Sequence, residues 1–156
     1  MKLTTYHTHV KPEEVDYNGH MNDAVYAAVF SEAVDDLMSQ IGLTKDFIRA
    51  ESHTLYTLET HLCYLKEAHQ GEALTVRVKL IDYDKKRLHV LFIMTNQKDE
   101  RIATSEQMLM GIDQTIGRPA PFLPTIREAI DAIWHEQPSG VGCEQVGRTI
   151  GIKRKA

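Results

Sequence analysis

Residues 16–23, Asp16-Tyr17-Asn18-Gly19-His20-Met21-Asn22-Asp23, run directly into a long amphipathic stretch, 24–41, reading AVYAAVFSEAVDDLMSQI. Within it Val25, Val29, Ala33, Leu37 and Ile41 recur every four residues with Tyr26, Phe30, Val34 and Met38 beside them. Ser31, Glu32, Asp35, Asp36, Ser39 and Gln40 fill the other side, so the period predicts a single long helix with a broad apolar face. Asn22 or Asp23 is placed to cap its start and Gly42 to end it. A face that wide needs something to wrap it. Ahead of the helix, Asp16, Asn18 and His20 set a carboxylate, an amide and an imidazole at alternate positions, beside the free N–H donors of a helix start. These are the raw materials of a hydrolytic site.

The strands on either side of the helix supply the wrapping. Residues 4–10 alternate and read as a short first strand, broken by Lys11-Pro12-Glu13-Glu14, and 44–50 as one or two helical turns. From His53 the period changes to two. Tyr56, Leu58, Thr60, Leu62 and Tyr64 face one way as far as a turn at 67–71, and Leu74, Val76, Val78 and Leu80 form a strand with one buried face. Residues 88–95 are apolar on both faces, and 101–112 make the last long strand. Three consecutive hairpins, an antiparallel meander, are the expectation. Gly117-Arg118-Pro119-Ala120-Pro121 reads as a rigid linker, Pro124 as the first residue of a helix carrying Ile126, Ile130, Ile133 and Trp134, and the chain from Gln137 on as irregular. The class expected is α+β: a five-stranded antiparallel sheet curved around a long central helix.

The 156 residues suffice for one domain with a real core. An apolar fraction of 42% and a charged fraction of 26% argue against disorder. A net charge of −4 argues against nucleic acid as a partner, since phosphate binding needs a basic surface. No stretch approaches the ~18 apolar residues of a membrane span, and the first residues open no apolar secretory segment, so a cytoplasmic protein is expected. Cys63 and Cys143 form no CxxC and are as easily reduced as paired, with a reducing compartment the better expectation. GxxxxGK[ST], GxGxxG, GxSxG and HExxH are all absent, which removes nucleotide hydrolysis, dinucleotide redox chemistry, serine esterase chemistry and zinc proteolysis in their usual forms. His7 and His9 share a strand face but lack a matching third ligand, and His53, His61, His69, His89 and His135 belong to no constellation, so neither metal nor cofactor is expected.

The element order and the motif resemble the hotdog-fold thioesterases of the 4-hydroxybenzoyl-CoA thioesterase type, whose D-x-x-G-H-x-N element enters the central helix. Asp16, Gly19, His20 and Asn22 stand at those places. The resemblance implies Asp16 as nucleophile or general base, with backbone N–H groups near Asn22 and Asp23 polarising the thioester carbonyl. Plant acyl-carrier-protein thioesterases are similar through D-x-N-x-H and a later Y-x-x-E, matched by Asp16, Asn18 and His20 and by Tyr64 and Glu67, which makes Glu67 a further catalytic candidate. The run Tyr64-Leu65-Lys66-Glu67-Ala68-His69 resembles thioesterases of carnitine and betaine-CoA degradation. The second of the family's paired asparagines is Asp23 here.

The resemblance covers roughly Thr4 to Pro124, and the division expected is a hotdog domain over 1–135 followed by an irregular C-terminal tail over 136–156. The function it implies is hydrolysis of a small acyl-CoA, with betainyl-CoA one candidate. Hydrolysis of an acyl-carrier-protein thioester and non-catalytic acyl-CoA binding are the alternatives. A quaternary ammonium acyl group would need aromatic faces, for which Tyr17, Tyr26 and Tyr64 are available, and Arg118 stands where relatives hold CoA phosphates. A curved sheet leaves an unpaired edge, so a homodimer or homotetramer is expected. Each residue also has a plainer use. Asp16-Tyr17-Asn18-Gly19 is a good turn, Asn22 and Asp23 are ordinary caps, Glu67 suits a solvated turn, Tyr26 and Tyr64 suit a core, and Arg118 suits a surface.

Overall fold

A computed structural model describes residues 1–139 and 142–156. The long helix α1 covers Asp23–Gln40, with Asn22 as its N-cap, the Asn22 Oδ1 accepting from the Ala24 N–H at 3.0 Å. At its other end Gly42 takes a φ of 98°, and the Leu43 N–H reaches the Met38 carbonyl at 2.8 Å, the six-to-one closure of a left-handed helix stop. Tyr26, Val29, Phe30, Ala33, Val34 and Leu37 are buried along it, the face that the four-residue period marks out.

Strands β1 (Tyr6–His9), β2 (His53–Tyr64), β3 (Ala73–Tyr83), β4 (Arg87–Thr95) and β5 (Arg101–Asp113) form one antiparallel sheet curled around α1. A short helix, α2 (Lys45–Glu51), precedes β2, and Thr44 caps it. The sheet order is β1-β3-β4-β5-β2, which corrects the expected meander: β3–β4 and β4–β5 are hairpins, whereas β2 and β3 never pair. The edge of β3 is taken by β1, from Tyr6 opposite Val76 to His9 opposite Ala73, and β2 runs instead along β5, from His53 opposite Asp113 to Tyr64 opposite Ala103. Nor is the stretch 65–72 a hairpin turn. Its Ala68 is fully buried, with the Ala68 carbonyl accepting from the Met21 N–H at 2.7 Å and the Ala68 N–H donating to the Tyr26 hydroxyl at 3.0 Å. The Leu65 and Lys66 N–H groups both reach the Ile102 carbonyl, where β5 bulges between Ala103 and Arg101.

The proline-rich linker also differs from expectation. Arg118–Pro119 form a two-residue strand, β6, against Ile112 and Asp113. That close approach explains Gly111, where a Cβ would lie 2.9 Å from the Ala120 carbonyl oxygen. The last helix, α3 (Pro124–Glu136), buries Ile126, Ile130 and Ile133. Ile130 and Ile133 share a small apolar void with Leu37, Ile41, Leu80 and Val90, so α3 closes the inner face of the sheet beyond the end of α1. On the outer face the C-terminal segment is tied down where the Gly147 N–H donates to the Glu106 carboxylate at 2.8 Å. Glu106 also pairs with His89 at 2.6 Å, a partner that spacing along the sequence does not reveal. Cys63 and Cys143 are unpaired. Among the described residues no helix is long and apolar enough to cross a membrane.

Candidate active site

The loop before α1 is closed by a bridge between Val15 and Met21, and within it Gly19 takes a φ of 76°, a conformation other residues adopt at a cost. Asp16 organises the loop. Its Oδ1 accepts from the Asn18 N–H at 2.8 Å and the His20 N–H at 3.2 Å, while its backbone exchanges bonds with His20 and Gly19. Both side-chain bonds fall on Oδ1, leaving Oδ2 for a ligand or water. The turn reading of this residue is therefore correct, and it leaves the carboxylate lining a cleft.

That cleft, of about 430 Å³, lies between the loop, the start of α1 and the 64–67 segment, and is lined by Asp16, His20, Asn22, Asp23, Tyr26, Tyr64 and Glu67 among others. The His20 Nε2 lies 3.1 Å from the Glu67 carboxylate. Tyr26 is 4% exposed, and its hydroxyl donates to the Lys66 carbonyl at 3.4 Å. The Tyr64 ring stands edge-on to Tyr26, centroids 5.2 Å apart, and its hydroxyl donates to the Asp23 carbonyl at 3.1 Å, leaving the residue 52% exposed along the cleft. Burial pushes both phenols up, aided at Tyr64 by the charge of Asp23, so neither supplies a phenolate at neutral pH.

The helix start narrows the choice of oxyanion donor. The Asn22 N–H is taken by the Glu14 carbonyl at 2.9 Å, the Ala24 N–H by the Asn22 side chain and the Val25 N–H by the Asn22 carbonyl. The Asp23 N–H, first in the helix, is the donor left at the cleft.

Of the residues singled out from sequence, Asp16, His20, Asn22, Asp23, Tyr26, Tyr64 and Glu67 converge, and three do not. Tyr17 is 98% exposed and lies outside the cleft. Asn18 is exposed beside it, contributing its backbone N–H to Asp16. Arg118 sits opposite Asp113, whereas the cleft adjoins Ile102 at the other end of β5, roughly 35 Å along the strand at about 3.3 Å per residue. Sequence reasoning missed His69. A bridge sets it against His20, ring centroids 4.9 Å apart and planes at 81°, with its Nδ1 held 2.7 Å from Glu72. A second cleft of about 620 Å³ shares Leu65, Lys66 and Glu67 with the first and continues past His69, Glu72 and Lys98. Lys66 spans it in an ion pair with Glu100, whose carboxyl that contact holds below the ordinary range.

Residues 10–130 match the model of the Thioesterase-like superfamily, and the chain belongs to that family. It is a thioester hydrolase with the hotdog fold. It is 42% identical over 151 residues to the betainyl-CoA thioesterase of Pseudomonas aeruginosa, covering 96% of this chain and 95% of that one. It is 40% identical over 129 residues to an L-carnitine dehydrogenase/betainyl-CoA thioesterase of Agrobacterium fabrum, covering 83% of this chain but 26% of that longer protein. A Staphylococcus aureus protein solved in complex with CoA superimposes with a TM-score of 0.92 at 35% identity, covering 96% of this chain and 94% of the other.

Proposed function

We propose that the protein hydrolyses betainyl-CoA to betaine and CoA in the Asp16 cleft, working as a dimer. The observation that carries this reading is the convergence of Asp16, Glu67, His20 and the first N–H of α1 around one cavity. A thioester is electrophilic, and its thiol leaves with a pKa near ~8.5, so a positioned carboxylate and an oxyanion donor suffice. Asp16 attacks the carbonyl or deprotonates the attacking water, and the Glu67–His20 pair orients that water. The Asp23 N–H receives the developing oxyanion where the helix dipole is positive. The pantetheine arm and nucleotide of CoA run into the adjoining cleft past Lys66 and Lys98.

The betainyl group carries a fixed positive charge and no hydrogen to donate from its nitrogen. The open face of Tyr64 and the carboxylates of Asp16, Asp23 and Glu67 suit such a group, and the names of the two curated relatives support it. The dimer reading rests on the long open edge of β2.

A panel of short, branched, aromatic and cationic acyl-CoAs with thiol detection tests the reading. Betainyl-CoA should be turned over fastest, at least tenfold above butyryl-CoA. Equal rates would remove the cationic substrate, and no turnover of any member would leave only a CoA-ester-binding protein.

A further inference from the structure

The geometry points to a second ligand at the mouth of this cleft: a divalent zinc-class cation held by His20, Glu67 and His69, which switches the hydrolase off. Two parts of the chain supply the set. His20 comes from the loop before α1, while Glu67 and His69 come from the segment that leaves β2 and passes beneath the helix start. One potential ligand atom from each lies within 4.8 Å of the other two. Around a tetrahedral ion with bonds of about 2.0–2.2 Å, ligand atoms sit roughly 3.3 Å apart. The His20 Nε2 and the Glu67 oxygen, at 3.1 Å, already have that spacing. His69, whose side chain is 56% exposed, has the freedom to close the remaining distance, from at most 4.8 Å to roughly 3.3 Å.

The arrangement around His69 sets this cluster apart from a chance surface grouping. Glu72 accepts from the His69 backbone N–H at 3.2 Å and lies 2.7 Å from Nδ1 with the same carboxylate oxygen. A carboxylate on one ring nitrogen fixes the tautomer and leaves Nε2 as a lone-pair donor, as an outer carboxylate does for metal-bound histidines. The bridge between His20 and His69 fixes the two backbones side by side, and the neighbouring Lys66 is engaged by Glu100. Two imidazoles and one carboxylate with an open fourth position suit zinc, cobalt or nickel, whereas magnesium and calcium favour all-oxygen sites.

Inhibition rests on the proposed function. An ion bound here takes Glu67 and His20 away from the attacking water and sets two positive charges in front of a cleft meant for a cationic acyl group.

Zinc titration by calorimetry on the full chain, separate from any rate measurement, tests the site. Wild type should take up one zinc ion per chain. Glu72→Gln and His69→Gln should bind it at least tenfold more weakly, His9→Gln should bind as wild type does, and millimolar magnesium should not compete. In hydrolysis followed by thioester absorbance, which avoids zinc capture by free thiol, zinc should inhibit wild type, a chelator should restore it, and His69→Gln should resist the same zinc concentration. Absence of stoichiometric binding, or undiminished binding by both His69→Gln and Glu72→Gln, would overturn the site. Loss of binding in His9→Gln would transfer it to the β1 histidines and equally overturn it. Zinc bound as described by a protein with no thioester turnover would defeat the proposed function and leave the site standing.

Discussion

Asp16 holds its own loop together and also lines the cleft, so the informative substitution keeps the first task and removes the second. Asp16→Asn retains an Oδ1 able to accept from the Asn18 and His20 N–H groups, so the turn should survive and the melting temperature should stay within a few degrees of wild type. Hydrolysis should fall by at least ~10²-fold, the ordinary worth of a positioned base, with acyl-CoA binding retained. Calorimetric binding beside a rate assay separates this outcome from simple unfolding. Tyr64 carries the matching test of specificity. Tyr64→Leu removes an aromatic face worth about 0.5–2 kcal/mol to a cation, so the betainyl-to-butyryl rate ratio should drop about two- to thirtyfold while butyryl-CoA hydrolysis stays within a few-fold. An unchanged ratio would remove Tyr64 from cation recognition. Asp16, His20 and Asn22 were legible in the sequence because they belong to one local motif, and Glu67 because its spacing from Tyr64 matches a known pattern. His69 was not legible. What makes it notable is a bridge to His20 between distant segments, and no local period records such a contact.

At the scale of elements, the helix was the clearest feature, since a broad stripe with a four-residue recurrence has one reading. The pairing of β2 was illegible for a different reason. Alternation marks a strand but not its neighbour, and a turn-like 67–71 segment conceals a buried Ala68 that docks on Met21 and Tyr26 in place of reversing the chain. That docking joins the end of β2 to the start of α1 and so builds the cleft. The opposite edge is pinned to the same helix by Tyr6, whose hydroxyl donates to the Glu32 carboxylate. Burial and, after it, that carboxylate raise the Tyr6 phenol from 10.0 to about 12. Because the folded state keeps a proton that the unfolded chain releases near pH 10, this contact stabilises fully below pH 10 and is lost as pH rises through 12. Melting curves across pH 9–12 should therefore show a steeper alkaline loss of stability in wild type than in Tyr6→Phe. Parallel curves would mean that the phenol titrates alike in both states. The other raised tyrosines are present in both proteins and cancel from the difference.

The whole molecule turns on the free side of β2. This strand has 12 residues, pairs among the described residues with β5 alone, and exposes Tyr56 and Leu58 at 50% and 55% without a proline or lysine to guard it. Joining two such edges across a two-fold axis would remove the liability. It would also account for Arg118. Antiparallel pairing of β2 with its copy sets the start of one strand beside the end of the other. The start lies next to Asp113 of β5, with Arg118 paired on the far side of that strand, and the end, at Tyr64, lines the cleft. In such a dimer Arg118, remote from its own cleft and about 10 Å in from the shared edge, would be brought toward the partner's cleft, where CoA phosphates need a cation. Sedimentation should show a dimer for wild type and a monomer with little activity for Leu58→Glu. Arg118→Ala should remain dimeric and raise KM for acyl-CoA about tenfold, the size of one charge-assisted contact. A mixed dimer of an Asp16→Asn chain and an Arg118→Ala chain decides whether the two residues act across the interface. If they do, one of its two clefts combines an intact Asp16 with an intact Arg118 from the other chain, and the mixture should recover about half of wild-type activity per dimer at the wild-type KM. If each cleft uses its own chain's arginine, every active cleft in the mixture keeps the raised KM, and the shared-site dimer is wrong.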